Sequence, residues 1–255
     1  MIKTKEEIEI MREGGKRLAE ILQKVSEEAK AGINVSVLDE LAEKLIREGG
    51  DEPSFLDYTP EGASRPYPAT LCVSVNDEIV HGIPNEGGRV LKEGDIVGLD
   101  LGLKHKGLFL DTAVTVGVGE INKADQKLMN ITKEALMVGI KAARAGNTVG
   151  DIGYAIDEFV KDYGYGSPVE LGGHGVGHKV AEEPYIANYV EKGEGEKLKA
   201  GMVLALEPML NLGDSRIELA DDDYTYKTAD GTNSAHFEHT ILVTAGNPEI
   251  LTKVR

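Results

Sequence analysis

A single cysteine, Cys72, in 255 residues leaves no partner for an internal disulfide. Positive charge is scarce as well: 28 Lys and Arg stand against 44 Asp and Glu, a net charge of −16. That balance opposes binding to a phosphate backbone, so it argues against nucleic acid as a direct substrate, and it favours solubility. No uncharged apolar run approaches the ~18 residues of a membrane span. The opening Met1-Ile2-Lys3-Thr4-Lys5-Glu6-Glu7 is a charged helix start without the apolar core of a secretory signal, which points to the cytoplasm. What the chain does have is 41% apolar residues, enough for a full-sized core, and we expect one compact domain over residues 1–255.

Two apolar, strand-like runs, Ile96 to Asp100 and Leu108 to Thr112, are joined by Leu103-Lys104-His105-Lys106-Gly107, and each carries one carboxylate, Asp100 and Asp111. A two-residue turn centred on His105-Lys106 would set the two acids directly opposite one another. A turn centred on Lys106-Gly107 would keep them on one face as diagonal neighbours, and a three-residue loop would send them to opposite faces. Like charges facing across an antiparallel pair repel, so the pair needs a reason. A solvated hairpin face is the plain reading; a metal site is the sharper one.

Thr4 with Glu7 reads as a capping box, and Ile8, Met11, Leu18, Leu22 and Val25 follow at helical spacing up to Ala31-Gly32. A second helix is predicted to start near Ser36, with Asp39 three residues on and Leu38, Leu41, Leu45 and Ile46 on one face, ending at Gly49-Gly50. After a Pro-, Gly- and acid-rich loop, residues 71–75 and 78–81 look like strands around Asn76-Asp77. The order then recurs. Asn122 caps a predicted helix through Ala142, and Thr148 with Asp151 opens another carrying Ile152, Ala155, Phe159 and Val160 inward.

Leu91 to Asp100 is echoed by Leu198 to Glu207, Leu110-Asp111-Thr112 by Phe237-Glu238-His239, and Val80-His81-Gly82-Ile83 by Gly173-His174-Gly175-Val176. The chain therefore contains an internal duplication, with halves of roughly 1–121 and 122–255, each contributing a His-Gly and two strand carboxylates. In the longer second half, Asp230-Gly231 is a turn dipeptide and predicts a hairpin there.

Two related halves packed about a pseudo-twofold axis bring Asp100, Asp111, Glu207 and Glu238 together. At ~5 Å and an effective dielectric of ~20 each carboxylate pair repels by about 3 kcal/mol, roughly 20 kcal/mol over six pairs. A fold stable by only ~5–15 kcal/mol cannot hold that unneutralised. No matching cluster of Lys or Arg lies nearby in sequence, and four carboxylates with one imidazole have room for two divalent ions with bridging ligands. Such a site suits amide hydrolysis. His174, flanked by Gly173 and Gly175, is favoured over its repeat partner His81 as the imidazole ligand, which leaves His81 to hold substrate; His105, His178, His236 and His239 are expected at the surface or behind the ligands.

Asn76-Asp77-Glu78-Ile79-Val80-His81-Gly82-Ile83-Pro84, the Asp100 and Asp111 pair, Gly173-His174-Gly175-Val176-Gly177, Glu182-Glu183-Pro184, Leu206-Glu207-Pro208-Met209 and Ser234 to Thr240, in this order, resemble the type I, bacterial-form methionine aminopeptidases over nearly the whole chain. The long insertion between His174 and Glu207 that marks type II enzymes is absent, as is an N-terminal zinc-finger extension. The resemblance implies a duplicated α/β (α+β) pita-bread fold, a curved antiparallel sheet covered by helices, with pseudo-twofold symmetry. It implies that Asp111, His174, Glu207 and Glu238 bind one divalent ion and Asp100, Asp111 and Glu238 a second, the ions being cobalt, manganese, iron or zinc. Glu207 would also handle the proton, His81 would hydrogen-bond the substrate at the scissile peptide, and Tyr67, Cys72 and Tyr224 would help line the methionine pocket, Tyr224 standing where many bacterial members carry Trp. The implied partners are nascent chains with N-terminal Met and a small second residue, met in transient association with the ribosome by a monomer.

One position departs from the family: a second substrate-contacting histidine, expected seven residues after the ligand histidine, is replaced by Ala181. His178 is three residues earlier, and in an extended strand an odd separation points the other way. The expected function is removal of initiator methionine by dinuclear-metal-assisted hydrolysis, slowed by Ala181. The competing readings are a catalytically lapsed, metal-holding interaction module of the same fold, and a proline dipeptidase, which the short chain argues against.

Overall fold

The computed structural model describes residues 2–60, 62–190 and 192–254. Two helices, α1 (Lys5–Glu27) and α2 (Val35–Glu48), lead into β1 (Glu52–Pro53), β2 (Leu71–Val75), β3 (Glu78–Val80), β4 (Ile96–His105) and β5 (Leu108–Gly117). A second pair, α3 (Lys123–Ala142) and α4 (Val149–Val160), leads into β6 (Gly172–Gly175), β7 (Glu182–Ala187), β8 (Val203–Leu206), β9 (Met209–Asn211), β10 (Ile217–Leu219), β11 (Tyr226–Thr228), β12 (Ser234–His236), β13 (Glu238–Leu242) and β14 (Glu249–Ile250). Three of the four expected helix starts hold: Thr4 and Thr148 each form a capping box, with Glu7 and Asp151, and Asn122 caps α3. The start of α2 differs. Asn34, not Ser36, is its cap, accepting from Ser36 N, which frees Asp39 to turn inward and accept Thr70 N at 2.8 Å and Leu71 N at 2.9 Å at the head of β2.

The main sheet runs β1-β4-β5-β13-β8-β6-β7, with β2 also on β4 and β14 on β13. The two halves of the chain meet where β5 pairs with β13, and there Thr112 faces His239. Those two positions are each other's counterparts in the repeat, so the pseudo-twofold axis passes between them. On one side β2 flanks β4 as, on the other, β6 flanks β8. Gly98 of β4 faces Ser74 and its counterpart Ala205 of β8 faces His174, so the sheet equivalent of His174 is Ser74. His81 is not its twin: it follows β3, which leaves β2 at the Asn76-Asp77 turn to pair with β11. Strands do lie at 71–75 and 78–80 on either side of Asn76-Asp77, as expected, but among the described residues they share no ladder.

Strand β4 pairs with β5 so that His105 faces Leu108, and the turn is Lys106-Gly107. Both turn residues have positive φ, 48° and 87°, as a type I′ turn requires. Asp100 therefore faces Ala113 and Asp111 faces Gly102, which makes the two acids diagonal neighbours on one face, not a directly opposed pair. The hairpin expected across Asp230-Gly231 is a turn whose flanks part company, β11 pairing with β10 and β3 while β12 pairs with β9.

Helices cover the other face of the sheet. Leu99, Leu101, Leu103 and Leu110 pack with Met11, Leu18, Leu38 and Ile46 under α1 and α2, and Leu204, Leu206 and Ile241 pack with Leu128, Leu136, Ile152 and Ile156 under α3 and α4. Because side chains alternate along a strand, burying Leu99, Leu101 and Leu110 against helices sends Asp100 and Asp111 to the opposite face. The approach of α1 is close: a Cβ on Gly14 would lie 2.8 Å from His105 Cβ and 2.7 Å from Leu110 Cδ1. His105 is consequently buried, not at a surface turn, and its Nδ1 donates to Asp51 Oδ1 at 2.6 Å.

Candidate metal centre

Register builds the site. One row across the helix-free face runs Cys72, Asp100, Ala113, Glu238. Glu207 is one residue beyond Leu206, which faces His239, so it falls beside Glu238. The next row on the same face runs Gly102, Asp111, then Thr240, Ala205, His174 and Tyr185. Thr240 locks the two halves of that row, its Oγ1 accepting from Asp111 N at 3.0 Å and donating to Asp111 O at 2.7 Å. Small residues separate the ligands, Ala113 between Asp100 and Glu238 and Ala205 between Thr240 and His174, while Gly102 makes way for Ser54 and Phe55, which pack over it.

The carboxylate and imidazole atoms of Asp111, His174 and Glu238 lie within 4.8 Å of one another. His174 Nε2 is 3.5 Å from Glu207 Oε1. Its Nδ1 donates to Gly175 O at 2.9 Å, which turns Nε2 towards the carboxylates, the nitrogen a metal-binding imidazole would use. Asp111 and Glu238 are buried, and among the described residues no Lys or Arg pairs with Asp100, Asp111, Glu207 or Glu238. Asp100 Oδ1, Asp111 Oδ1 and Glu238 Oε1 accept no hydrogen bond.

The physical consequence is large. Burial first, then the charges of Asp111 and Glu207, pushes the Asp100 carboxyl well above the usual range. Glu238 is raised by burial and by Asp111, Glu207 and Asp100, and Glu207 by burial and Asp111. Asp111 is raised by burial and pulled partly back by His174. Orphaned, crowded, hard oxygen donors with one imidazole fit divalent cations, which would satisfy them all at once.

Beside the carboxylates is a cavity of about 310 Å³. Tyr67, Cys72 and Tyr224 all line it, as does Ala181. Tyr67 spends its hydroxyl on Gly82 O at 2.9 Å and meets Tyr224 edge to face at 5.1 Å, while Tyr224 donates to Arg65 O, so both present ring surface to the cavity. Burial, then the nearby Asp100 charge, holds the Cys72 thiol neutral. His81 lines the cavity too, and its surface opens into it. Its backbone is left-handed, φ 61°, a strained state for a non-glycine residue that its neighbours hold in place: Val73 N donates to Gly82 O at 2.8 Å and Gly82 N to Ser74 Oγ at 3.1 Å. The residue is exposed at the cleft, and the protein crowded around its ring, then the charge of His174, lowers its pKa from the ordinary 6.5, so the ring is neutral at pH 7.

His178 is turned away from the cavity, its Nε2 donating to Glu7 Oε1 at 2.7 Å, so it does not stand in for an imidazole at position 181. His239 is on the far face of β13 with Thr252. His236 is different. It is buried with Nε2 3.6 Å from Glu207 Oε2, and that nitrogen has no hydrogen-bond partner. The sequence placed it at the surface or behind the ligands, and the second alternative holds; the available signal was its place two residues before Glu238. Phe55, Tyr58 and Tyr185, also on the cavity wall, carried no signal, because none sits in a quoted motif with the ligands; Met209, a fourth wall residue, closes the Leu206-Glu207-Pro208-Met209 motif.

Residues 9–245 match the sequence model of metallopeptidase family M24. The methionine aminopeptidase of Clostridium perfringens is 41% identical over 255 residues, covering 100% of this chain and 99% of that protein. The crystal structure of methionine aminopeptidase from Thermotoga maritima superposes with a TM-score of 0.94 at 40% identity, over 99% of both chains. The prolidase of Pyrococcus horikoshii shares the fold, TM-score 0.75 at 23% identity, but this chain covers only 64% of it. With end-to-end likeness of that depth added to a fold duplicated about a cluster of carboxylates, the chain belongs to metallopeptidase family M24 and is a pita-bread hydrolase similar throughout to the bacterial methionine aminopeptidases.

Proposed function

We propose that this protein removes the N-terminal methionine of nascent proteins and peptides by metal-assisted hydrolysis. The observation that carries the proposal is the set of orphaned buried carboxylate oxygens beside a cavity walled by Tyr67, Cys72 and Tyr224. Asp111, His174, Glu207 and Glu238 would hold one divalent ion, and Asp100, Asp111 and Glu238 a second. Their mixed donors suit manganese, iron, cobalt or zinc. Bound ions supply positive charge that polarises the scissile carbonyl and activates water.

The chain's own groups do the rest. Glu207 takes the proton lost by water as it adds to the carbonyl carbon and passes it to the departing amine when the C–N bond breaks, the carboxyl being held between His174 and His236. His81, neutral, donates to the substrate at the scissile peptide. The ring faces of Tyr67 and Tyr224 and the Cys72 thiol take the methionine side chain, and Ala181, supplying no donor where the family's second histidine would stand, slows the reaction. Substrates would be nascent chains with a small second residue, met by a monomer near the ribosome in the cytoplasm.

A lapsed binding module would have no use for crowded, unneutralised carboxylates, so the enzyme reading is preferred. The test is methionine release from a Met-Gly-Ala peptide with each metal supplied in turn. Glu207→Gln should abolish nearly all turnover while leaving the far-UV spectrum unchanged, and full activity in that variant would end the assignment of Glu207.

A further inference from the structure

Tyr185 faces His174 across β6 and β7, so the two side chains leave the sheet on the same side. The phenol leans over Gly172: a Cβ built there would meet Tyr185 Oη at 2.8 Å and Cζ at 3.0 Å. Gly172 is two residues from His174, whose pairing with Ala205 carries Gly172 into the row of Glu238 and Glu207, so the phenol stands on the Glu207 side of the cavity both line. The ring lines the same cavity as His81, Ala181 and Glu207, yet it is 49% exposed, at the mouth. Its backbone N–H is used, donating to Glu183 Oε2 at 3.3 Å, but among the described residues its hydroxyl has no protein partner.

The direction of the substrate follows from the rows. Cys72 and the aromatic wall stand at one end, beyond Asp100, and Tyr185 stands at the other, beyond Glu207. A peptide with its methionine side chain at the Cys72 end and its scissile bond over the carboxylates carries its leaving portion past Tyr185. We propose that Tyr185 is a substrate-contacting residue whose hydroxyl donates a hydrogen bond to the first backbone carbonyl beyond the scissile bond. The proposal rests on the aminopeptidase reading above. Phenylalanine keeps the ring and its seat over Gly172 and removes only the donor.

The experiment compares wild type with Tyr185→Phe, equally metal-loaded, on two substrates: Met-Gly-Ala-Ser, and methionine N-methylamide, which has the scissile carbonyl and none beyond it. Tyr185→Phe should lose three- to ten-fold in kcat/KM on the tetrapeptide, the scale of one neutral hydrogen bond, and stay within two-fold of wild type on the methylamide. Binding is read separately by calorimetry with an uncleavable isostere of the tetrapeptide, CH2–NH replacing the scissile amide; its affinity should fall by a similar factor. An unaffected variant on both substrates and the isostere overturns the proposal, as does an equal loss on both substrates, which would place the hydroxyl at the scissile group. A wild type that releases no methionine from the tetrapeptide overturns the aminopeptidase reading, and this proposal with it.

Discussion

At the residue scale the telling position is Ala181, which shares a cavity wall with His81 and Glu207 and offers them no polar atom. A histidine there would add one donor to a site where charge develops, worth at most ~3–4 kcal/mol and less where other groups hold the same oxygen. Ala181→His should therefore raise kcat on Met-Gly-Ala about ten-fold or more, ten-fold being ~1.4 kcal/mol of barrier. Metal content, measured by elemental analysis, should not change, because position 181 is outside the proposed ligand set. A variant no faster than wild type would mean that the wall has been rebuilt around alanine. The carboxylates themselves were legible in the sequence, since an acid inside an apolar strand-like run is costly unless used. His236 was legible only as a residue at the surface or behind the ligands: a histidine is an ordinary residue in a strand, and it is the pairing of β12 with β9 that shows it reaching Glu207. Tyr185 was hidden for the same reason, its register with His174 being a tertiary fact.

Elements whose ends are marked by local chemistry were read correctly, and those whose ends depend on distant partners were not. Thr4 with Glu7 and Thr148 with Asp151 satisfy one another within a single turn. Asp39 resembles such a box partner for Ser36, but its carboxylate is claimed by the backbone of Thr70 and Leu71, so the cap falls to Asn34. Asn34→Ala should lower stability by ~1 kcal/mol in urea denaturation, the usual worth of a side-chain cap. Asp39 makes a second, opposite test. Burial, partly offset by the two backbone donors, raises its pKa above the ordinary 3.8. A raised carboxylate pKa means the folded state prefers the protonated form, so ionisation costs stability above the folded pKa and the cost vanishes below the unfolded one. Asn keeps an oxygen for both N–H groups and has no charge to bury. Asp39→Asn should thus match or exceed wild type at pH 7, with any advantage shrinking as pH falls towards 4; a variant clearly weaker at pH 7 would show that the charge-assisted bonds outweigh the burial. The β4–β5 turn fell between these cases, because one residue of register separates facing from diagonal acids and only Lys106 and Gly107 taking positive φ decides it.

For the whole molecule, duplication puts ligands from both halves on either side of one axis, and the strands that carry them meet at Thr112 and His239. The repeat made that meeting legible, but it also suggested His81 as the twin of His174; local likeness of His-Gly pairs is weaker than sheet register, which gives that place to Ser74. A centre assembled from two halves couples metal binding to the integrity of the entire sheet. Ions that bind only the folded chain stabilise it by RT ln(1 + [L]/Kd), about 2.7 kcal/mol at a hundred times Kd. In a chain of this length that is ~5–10 °C in Tm, at roughly 2–4 °C per kcal/mol. Chelation with EDTA should therefore lower Tm by that order, and cobalt or manganese should restore it. Glu238→Gln separates the two terms. It removes a ligand shared between the two proposed ion sites and also removes one of the mutually repelling buried carboxylates. Its metal-dependent rise in Tm should be largely lost, while its Tm in EDTA should equal or exceed that of wild type in EDTA. A variant that is destabilised in EDTA yet still gains the full increment from metal would place Glu238 outside the centre and make its burial a matter of packing alone.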